Sequence, residues 1–165
     1  MSSITHFASM NDFEKGGVEI IGNDEPSRYL FSNMFEVASN SKPWERVIVA
    51  KNIEFTIECT KAVKGESSWY LCGHDETALV MQGEVEITFV KPDTFFETPS
   101  LSGAIKLEKK PAGQAMGKIK MRRGHLALLP ANAAYSFRSV GEGVLLIQSM
   151  EGPESAVKWR EICQN

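Results

Sequence analysis

Residues Trp69-Tyr70-Leu71-Cys72-Gly73-His74-Asp75-Glu76-Thr77-Ala78-Leu79-Val80-Met81-Gln82-Gly83-Glu84-Val85-Glu86-Ile87-Thr88-Phe89-Val90 decide how this chain folds. Residues 77–81 form the apolar run of a buried strand, and Val85, Ile87 and Phe89 alternate with Glu84, Glu86 and Thr88. Gln82-Gly83 joins the two strands, the glycine supplying the positive φ of a tight hairpin. Tyr70, Cys72, His74 and Glu76 share one parity, which in a continuous strand projects all four side chains from one face. No other stretch of the chain is as dense in coordinating and titratable groups.

Strand texture continues on both sides. Residues 46–50 are mostly apolar and β-branched, and Ile53, Phe55, Ile57 and Cys59 alternate with Glu54, Thr56, Glu58 and Thr60 as in a half-buried strand. Pro92, Pro99, Gly103, Pro111 and Gly113 make residues 91–114 a long loop, suited to a lid or a contact surface. Strands resume at residues 118–121, then in an apolar run ending at Pro130, from Tyr135, and at residues 144–147. At the N-terminal side, Asp24 as N-cap and Pro26 in the first turn open a helix over residues 27–38, with Phe31 and Phe35 on its apolar side. Beyond Gly152, Pro153 and Glu154 start a second short helix carrying Ala156, Trp159 and Cys163. The organisation is therefore an N-terminal arm over 1–45, one all-β barrel or double-sheet jelly roll over 46–152, and a C-terminal helix over 153–165.

Bulk properties narrow the partners. A chain of 165 residues is one domain that buries roughly 70% of its unfolded surface. A net charge of −3 gives no electrostatic reason to expect nucleic acid or an acidic membrane. Lys109, Lys110, Lys118, Lys120, Arg122 and Arg123 do gather, but without interleaved aromatics they read as a solvated loop face. No run approaches the roughly 18 apolar residues of a membrane span, and the first fifteen residues lack the apolar segment of a signal peptide. Cys59, Cys72 and Cys163 are odd in number and irregularly spaced, as reduced thiols in a cytoplasm are.

Two spacings point to a family. Gly124, Pro130, Asn132, Tyr135 and Ser139 follow the second cupin motif, G-x5-P-x-G-x2-H-x3-N, and Glu76 with Gly83 matches the tail of the first, H-x-H-x3-E-x6-G. The resemblance implies an RmlC-like jelly-roll barrel, here with short N- and C-terminal helices. At the metal-ligand positions of that family this chain has Tyr70, Cys72, Glu76 and Tyr135, so only Glu76 matches and no metal is expected. Cys72, Glu76 and His74 are acceptable ligand types, but His74 lies about 6–7 Å further along a strand than Cys72. Tyr phenol, with a reference pKa of about 10, is a poor ligand near neutral pH. Read as scaffold, His74 is a polar residue at the barrel mouth bonded to Asp75 or Glu76. Tyr70 and Tyr135 are then aromatic plugs bonded to each other or to Glu76. Cys72 lacks a neighbouring cation to activate it. His125, opposite in parity to Leu126 and Leu128, faces solvent.

Over its whole length the chain resembles the small (alpha) subunit of the two-subunit hydroquinone 1,2-dioxygenases. The residues that carry this are 28–39 (Arg-Tyr-Leu-Phe-Ser-Asn-Met-Phe-Glu-Val-Ala-Ser), Lys42-Pro43-Trp44-Glu45-Arg46, His74-Asp75-Glu76 and residues 80–85. The resemblance implies a larger (beta) cupin subunit that holds non-haem Fe(II) and opens hydroquinone to 4-hydroxymuconic semialdehyde with O2. It implies too a small subunit without a working metal site, and a heterotetramer of the two. Phe31, Phe35, Trp44 and Trp159 are then candidates for partner contact, as aromatics are enriched at buried interface centres. Two other readings stand beside it. One is a metal-independent lyase, isomerase or cyclase with Glu76 as general base and Tyr70, Tyr135 or His74 as proton donors. The other is a barrel that binds a small molecule without chemistry.

Overall fold

Alternating side chains fold most of the chain into strands, and the computed structural model describes residues 8–16, 18–20, 29–31, 33–99 and 101–163. In order the elements are β1 (Val18–Ile20), β2 (Tyr29–Phe31), α1 (Met34–Asn40), β3 (Arg46–Lys51), β4 (Thr56–Ala62), β5 (Gly65–Leu71) and β6 (Glu76–Gln82). Then follow β7 (Glu84–Pro92), β8 (Ile105–Leu107), β9 (Gly113–Arg122), β10 (Leu126–Leu129), β11 (Ala134–Ser139), β12 (Gly143–Ser149), β13 (Ser155–Ala156) and α2 (Trp159–Cys163). One sheet runs β1-β2-β3-β4-β12-β6-β10, with β13 parallel beside β3. The other holds β11-β7-β9, and the β5-β8 ribbon lies against β11, where the Phe137 amide donates to Ser67 Oγ at 2.9 Å. Between the sheets Val80, Ile87, Leu129, Tyr135, Phe137, Leu145 and Ile147 make the barrel core. This is the jelly roll that the spacings imply.

The deciding stretch behaves differently from a hairpin. β6 pairs with β12 and β10, whereas β7 pairs with β11 and β9. Gln82-Gly83 is a corner at which the chain leaves one sheet for the other, so the two strands cover each other's inner faces instead of sharing a ladder. Gly83 does adopt a positive φ of 81°, and an added Cβ would meet the Glu142 carbonyl oxygen at 2.6 Å. Likewise Tyr70 and Glu76 are not on one strand: β5 ends at Leu71, and residues 72–75 form a turn before β6.

Elsewhere tertiary packing overrode local pattern. On β4 it is Thr56, Glu58, Thr60 and Ala62 that face the barrel, while Ile53 and Phe55 before it are exposed and Ile57 on it is 40% exposed. At Cys59 the outer face is covered too, because this side chain packs with Met10, Phe35, Val37, Ala38, Val47 and Ile162 in a second core beneath α1. On β10 the parity is reversed as well: Ala127 and Leu129 are buried, Leu126 and Leu128 exposed. The basic residues 118–122 lie on a strand, β9, not on a loop. Part of the expected long loop is ordered as β8.

At the N-terminal side the arm is not separate from the sheet, since β1 and β2 extend it from β3. The helix begins at Met34, where the Asn33 side chain accepts from the Phe35 amide at 3.0 Å, so Phe31 falls on a strand. Asp24 and Pro26 lie outside the described residues. At the C-terminal side residues 155–156 pair with β3, which delays the last helix to Trp159.

Candidate functional site

The buried polar centre of the barrel is built around Arg46, the first residue of β3. Its Nε donates to Glu58 Oε2 on β4 at 2.5 Å, its Nη2 to Glu76 Oε1 on β6 at 2.7 Å, and its Nη1 to Tyr135 Oη on β11 at 2.9 Å. The Tyr135 hydroxyl donates in turn to Glu76 Oε2, and the Ser155 hydroxyl to Glu58 Oε1. The Arg46 and Glu58 side chains are 3% and 1% exposed and that of Glu76 not at all, so these are charge-assisted bonds shielded from water. One guanidinium thus ties three strands of the first sheet to one of the second.

Electrostatics follow from this packing. Burial alone would raise the Glu76 carboxyl, but the Arg46 charge, with hydrogen bonds from Tyr135 and Arg46, holds it below the ordinary carboxylate value. Burial pushes the Tyr135 phenol well above its usual value, against the pull of Arg46. Burial opposes the charge on Arg46, yet Tyr135, Glu58 and Glu76 raise its pKa further. The Cys72 thiol is pushed up to about 11 by burial and by the Glu76 charge, which leaves it a weak nucleophile.

Of the four side chains grouped by parity, Tyr70 and Cys72 share the barrel core and Cys72 feels the Glu76 charge, while His74 is set apart. Glu76, Tyr135 and Tyr70 stay together: the Tyr70 and Tyr135 rings lie 5.9 Å apart, and the guanidinium sits 5.9 Å from the Tyr70 ring centre. Cys72 is buried with its thiol toward the Ser102 carbonyl at 3.8 Å. His74 lies in the 72–75 turn, its Nδ1 2.9 Å from the Asp75 carbonyl oxygen. Asn132, at the place of the motif's turn glycine, has a φ of 60°, the left-handed conformation that Asn tolerates best after Gly. Of the aromatics, Phe35 is 6% exposed within the second core, and Trp44 stacks on Phe137 at 6.4 Å. Phe35 is thus occupied by the chain itself, whereas Trp44 is half-buried against the barrel core. Phe31 lies on β2, and Trp159 is half-buried on α2 with the Arg160 guanidinium 4.8 Å from its ring centre.

Arg46 and Glu58 are the residues that reading the sequence missed. Alternation put Glu58 outside, because Ile57 and Cys59 carry the more apolar parity. The usable signal was charge: Glu76 sits at an interior motif position and needs a cation, and Arg46 opens a mostly apolar strand.

These residues do not fit a resident metal ion. Both oxygens of Glu76 are already held, Tyr135 donates its proton to Glu76, and Tyr70 and Cys72 stand where imidazoles would coordinate. Among the described residues no three His, Cys, Asp or Glu side chains are grouped to hold one.

Comparison with solved structures identifies the family. Against one chain of hydroquinone 1,2-dioxygenase PnpCD in complex with Cd2+ and 4-hydroxybenzonitrile, identity is 43% over 98% of this chain and 97% of that one, with a TM-score of 0.82. Against hydroquinone 1,2-dioxygenase from Sphingomonas sp. TTNP3 with 4-hydroxybenzoate bound, it is 44% over 99% of both, with a TM-score of 0.83. This chain belongs to the hydroquinone 1,2-dioxygenase family. A further, longer chain of PnpCD, in the complex with Fe3+, shares the fold at 16% identity and a TM-score of 0.57; 87% of this chain aligns to 40% of that one. No protein-family model and no curated protein sequence matches. The hydroquinone 1,2-dioxygenase relatives therefore comprise a chain of this size and a longer one of which part shares this fold, and this chain matches the shorter.

Proposed function

We propose that this chain is the small, non-catalytic cupin subunit of an iron-dependent hydroquinone 1,2-dioxygenase, and that the iron is held by a larger cupin subunit. The observation that supports this is the Arg46 guanidinium bonded to Glu76, the one matching ligand type, and to Tyr135, which stands at another ligand position. Iron in the partner supplies the O2 activation that ring cleavage of hydroquinone to 4-hydroxymuconic semialdehyde requires. The residues of this chain hold the barrel shut around a fixed cation and leave no free carboxylate for acid–base chemistry, which weakens the lyase reading. The two chains assemble as a heterotetramer, with Phe31 and Trp159 retained as contacts to the partner. The complex works in a reducing cytoplasm, in keeping with the free thiols Cys59 and Cys72.

The test is to purify this chain, the larger chain and the co-expressed pair, and to assay Fe(II)-dependent hydroquinone cleavage with metal analysis of each. Activity and iron are expected in the pair, with neither in this chain alone. Full activity of the larger chain without this one would overturn the proposal, as would stoichiometric iron in this chain.

A further inference from the structure

Among the described residues Arg46 is the one buried cation, and the atoms it hydrogen-bonds are all oxygens. Formally two carboxylates face one guanidinium, an excess of negative charge in the barrel interior. On the same inner face the hydroxyls of Thr56 and Thr60 make no hydrogen bond, each in a residue 2% exposed. Thr60 is the register partner of Arg46, so its hydroxyl belongs to the same layer of the barrel. Buried hydroxyls without partners are uncommon and mark a place suited to a further polar occupant.

We infer that Arg46 is the built-in cation of a cation-binding barrel, seated where a metal ion would otherwise be held. Removing the guanidinium turns Glu58, Glu76 and the Thr60 hydroxyl of the same layer into a site for a hard divalent ion. The donor chemistry selects the class: carboxylate and hydroxyl oxygens with no imidazole or thiolate suit Mn2+, Mg2+ or Ca2+ rather than Zn2+. A divalent ion would balance the two carboxylates. This inference goes beyond the assignment of a small subunit and concerns only this chain's own cavity, so it stands or falls independently of where the iron of the complex lies.

The experiment compares the full chain with Arg46→Ala, using Mn2+ and methylguanidinium as separate probes. Thermal unfolding and the loss of the free Mn2+ electron-spin signal are the readouts. Arg46→Ala is expected to bind one Mn2+ and to gain about 5 °C or more in melting temperature at saturating ion, with methylguanidinium giving a similar gain. The unaltered chain and Arg46→Lys, which keeps a cation in place, should respond to neither probe. Arg46→Ala combined with Glu76→Gln should lose the Mn2+ response. If Arg46→Ala does not fold unaided, the refolding yield with and without each probe becomes the readout. A yield or melting temperature that ignores both probes overturns the inference, and so does Mn2+ binding by the unaltered chain at this site.

Discussion

The same kind of ion pair occurs in two places and does two different things. Inside the barrel, Arg46 meets Glu58 and Glu76 with side chains no more than 3% exposed. On the outer face of the second sheet, Lys118 meets Glu86 at 2.8 Å and Arg122 meets Glu84 at 3.0 Å, with side chains 17–74% exposed. In water such pairs gain little, because solvent screens them and ordering long side chains opposes them. In the interior each charge has lost its hydration, so every partner becomes indispensable to the others. Burial, not charge count, separates a structural keystone from decoration.

Replacing Arg46 by Met should break this contrast most sharply. It strands two buried carboxylates, and a loss of about 3–5 kcal/mol is expected in denaturant unfolding. Tyr135→Phe removes one hydroxyl from the same network, unpairing one oxygen of Glu76 and one N–H of Arg46. About 1–3 kcal/mol is expected, with the fold retained.

Acid and base sharpen the comparison next. The folded Glu76 carboxyl lies below the ordinary 4.5, so its contribution is complete above that pH and is lost as pH falls through the folded value. An unfolding series at pH 2–6 should show this loss in the unaltered chain and not in Glu76→Gln. At the other end, burial raises Cys59 from 9 to about 12 and Cys72 to about 11, so their contribution is complete below pH 9 and declines above it. Cys59→Ala should flatten that alkaline decline. The smallest effect is expected from Lys118→Ala on the outer face, about 0.2–1 kcal/mol and less in high salt. A loss there as large as that of Arg46→Met would erase the distinction.

Much of this could be read from the chain before folding. The period-two pattern around Val85, Ile87 and Phe89 marked the strands, because side chains alternate across a pleat whatever the neighbours. Positive φ at Gly83 is a backbone requirement that only certain residues meet, so it shows in the sequence. Glu76 and Tyr135 were placed together by motif spacing, and they are bonded. What escaped was whatever depends on both sides of a strand at once. Glu58 looked like a solvent-facing residue because its neighbours are more apolar, yet α1 covers that apolar side and turns Glu58 inward.

The linear chain thus determined which segments are strands, where the backbone must turn, and that the expected imidazoles are missing. The tertiary structure decided that β6 and β7 part company at Gly83, and what replaced those imidazoles. Arg46 reaches Glu76 across 30 residues and Tyr135 across 89, and a contact of that kind exists only once two sheets close on each other and exclude water. Periodicity is a local property of the chain, whereas the neutralisation of a buried charge is settled by whichever groups the closed barrel happens to bring within reach.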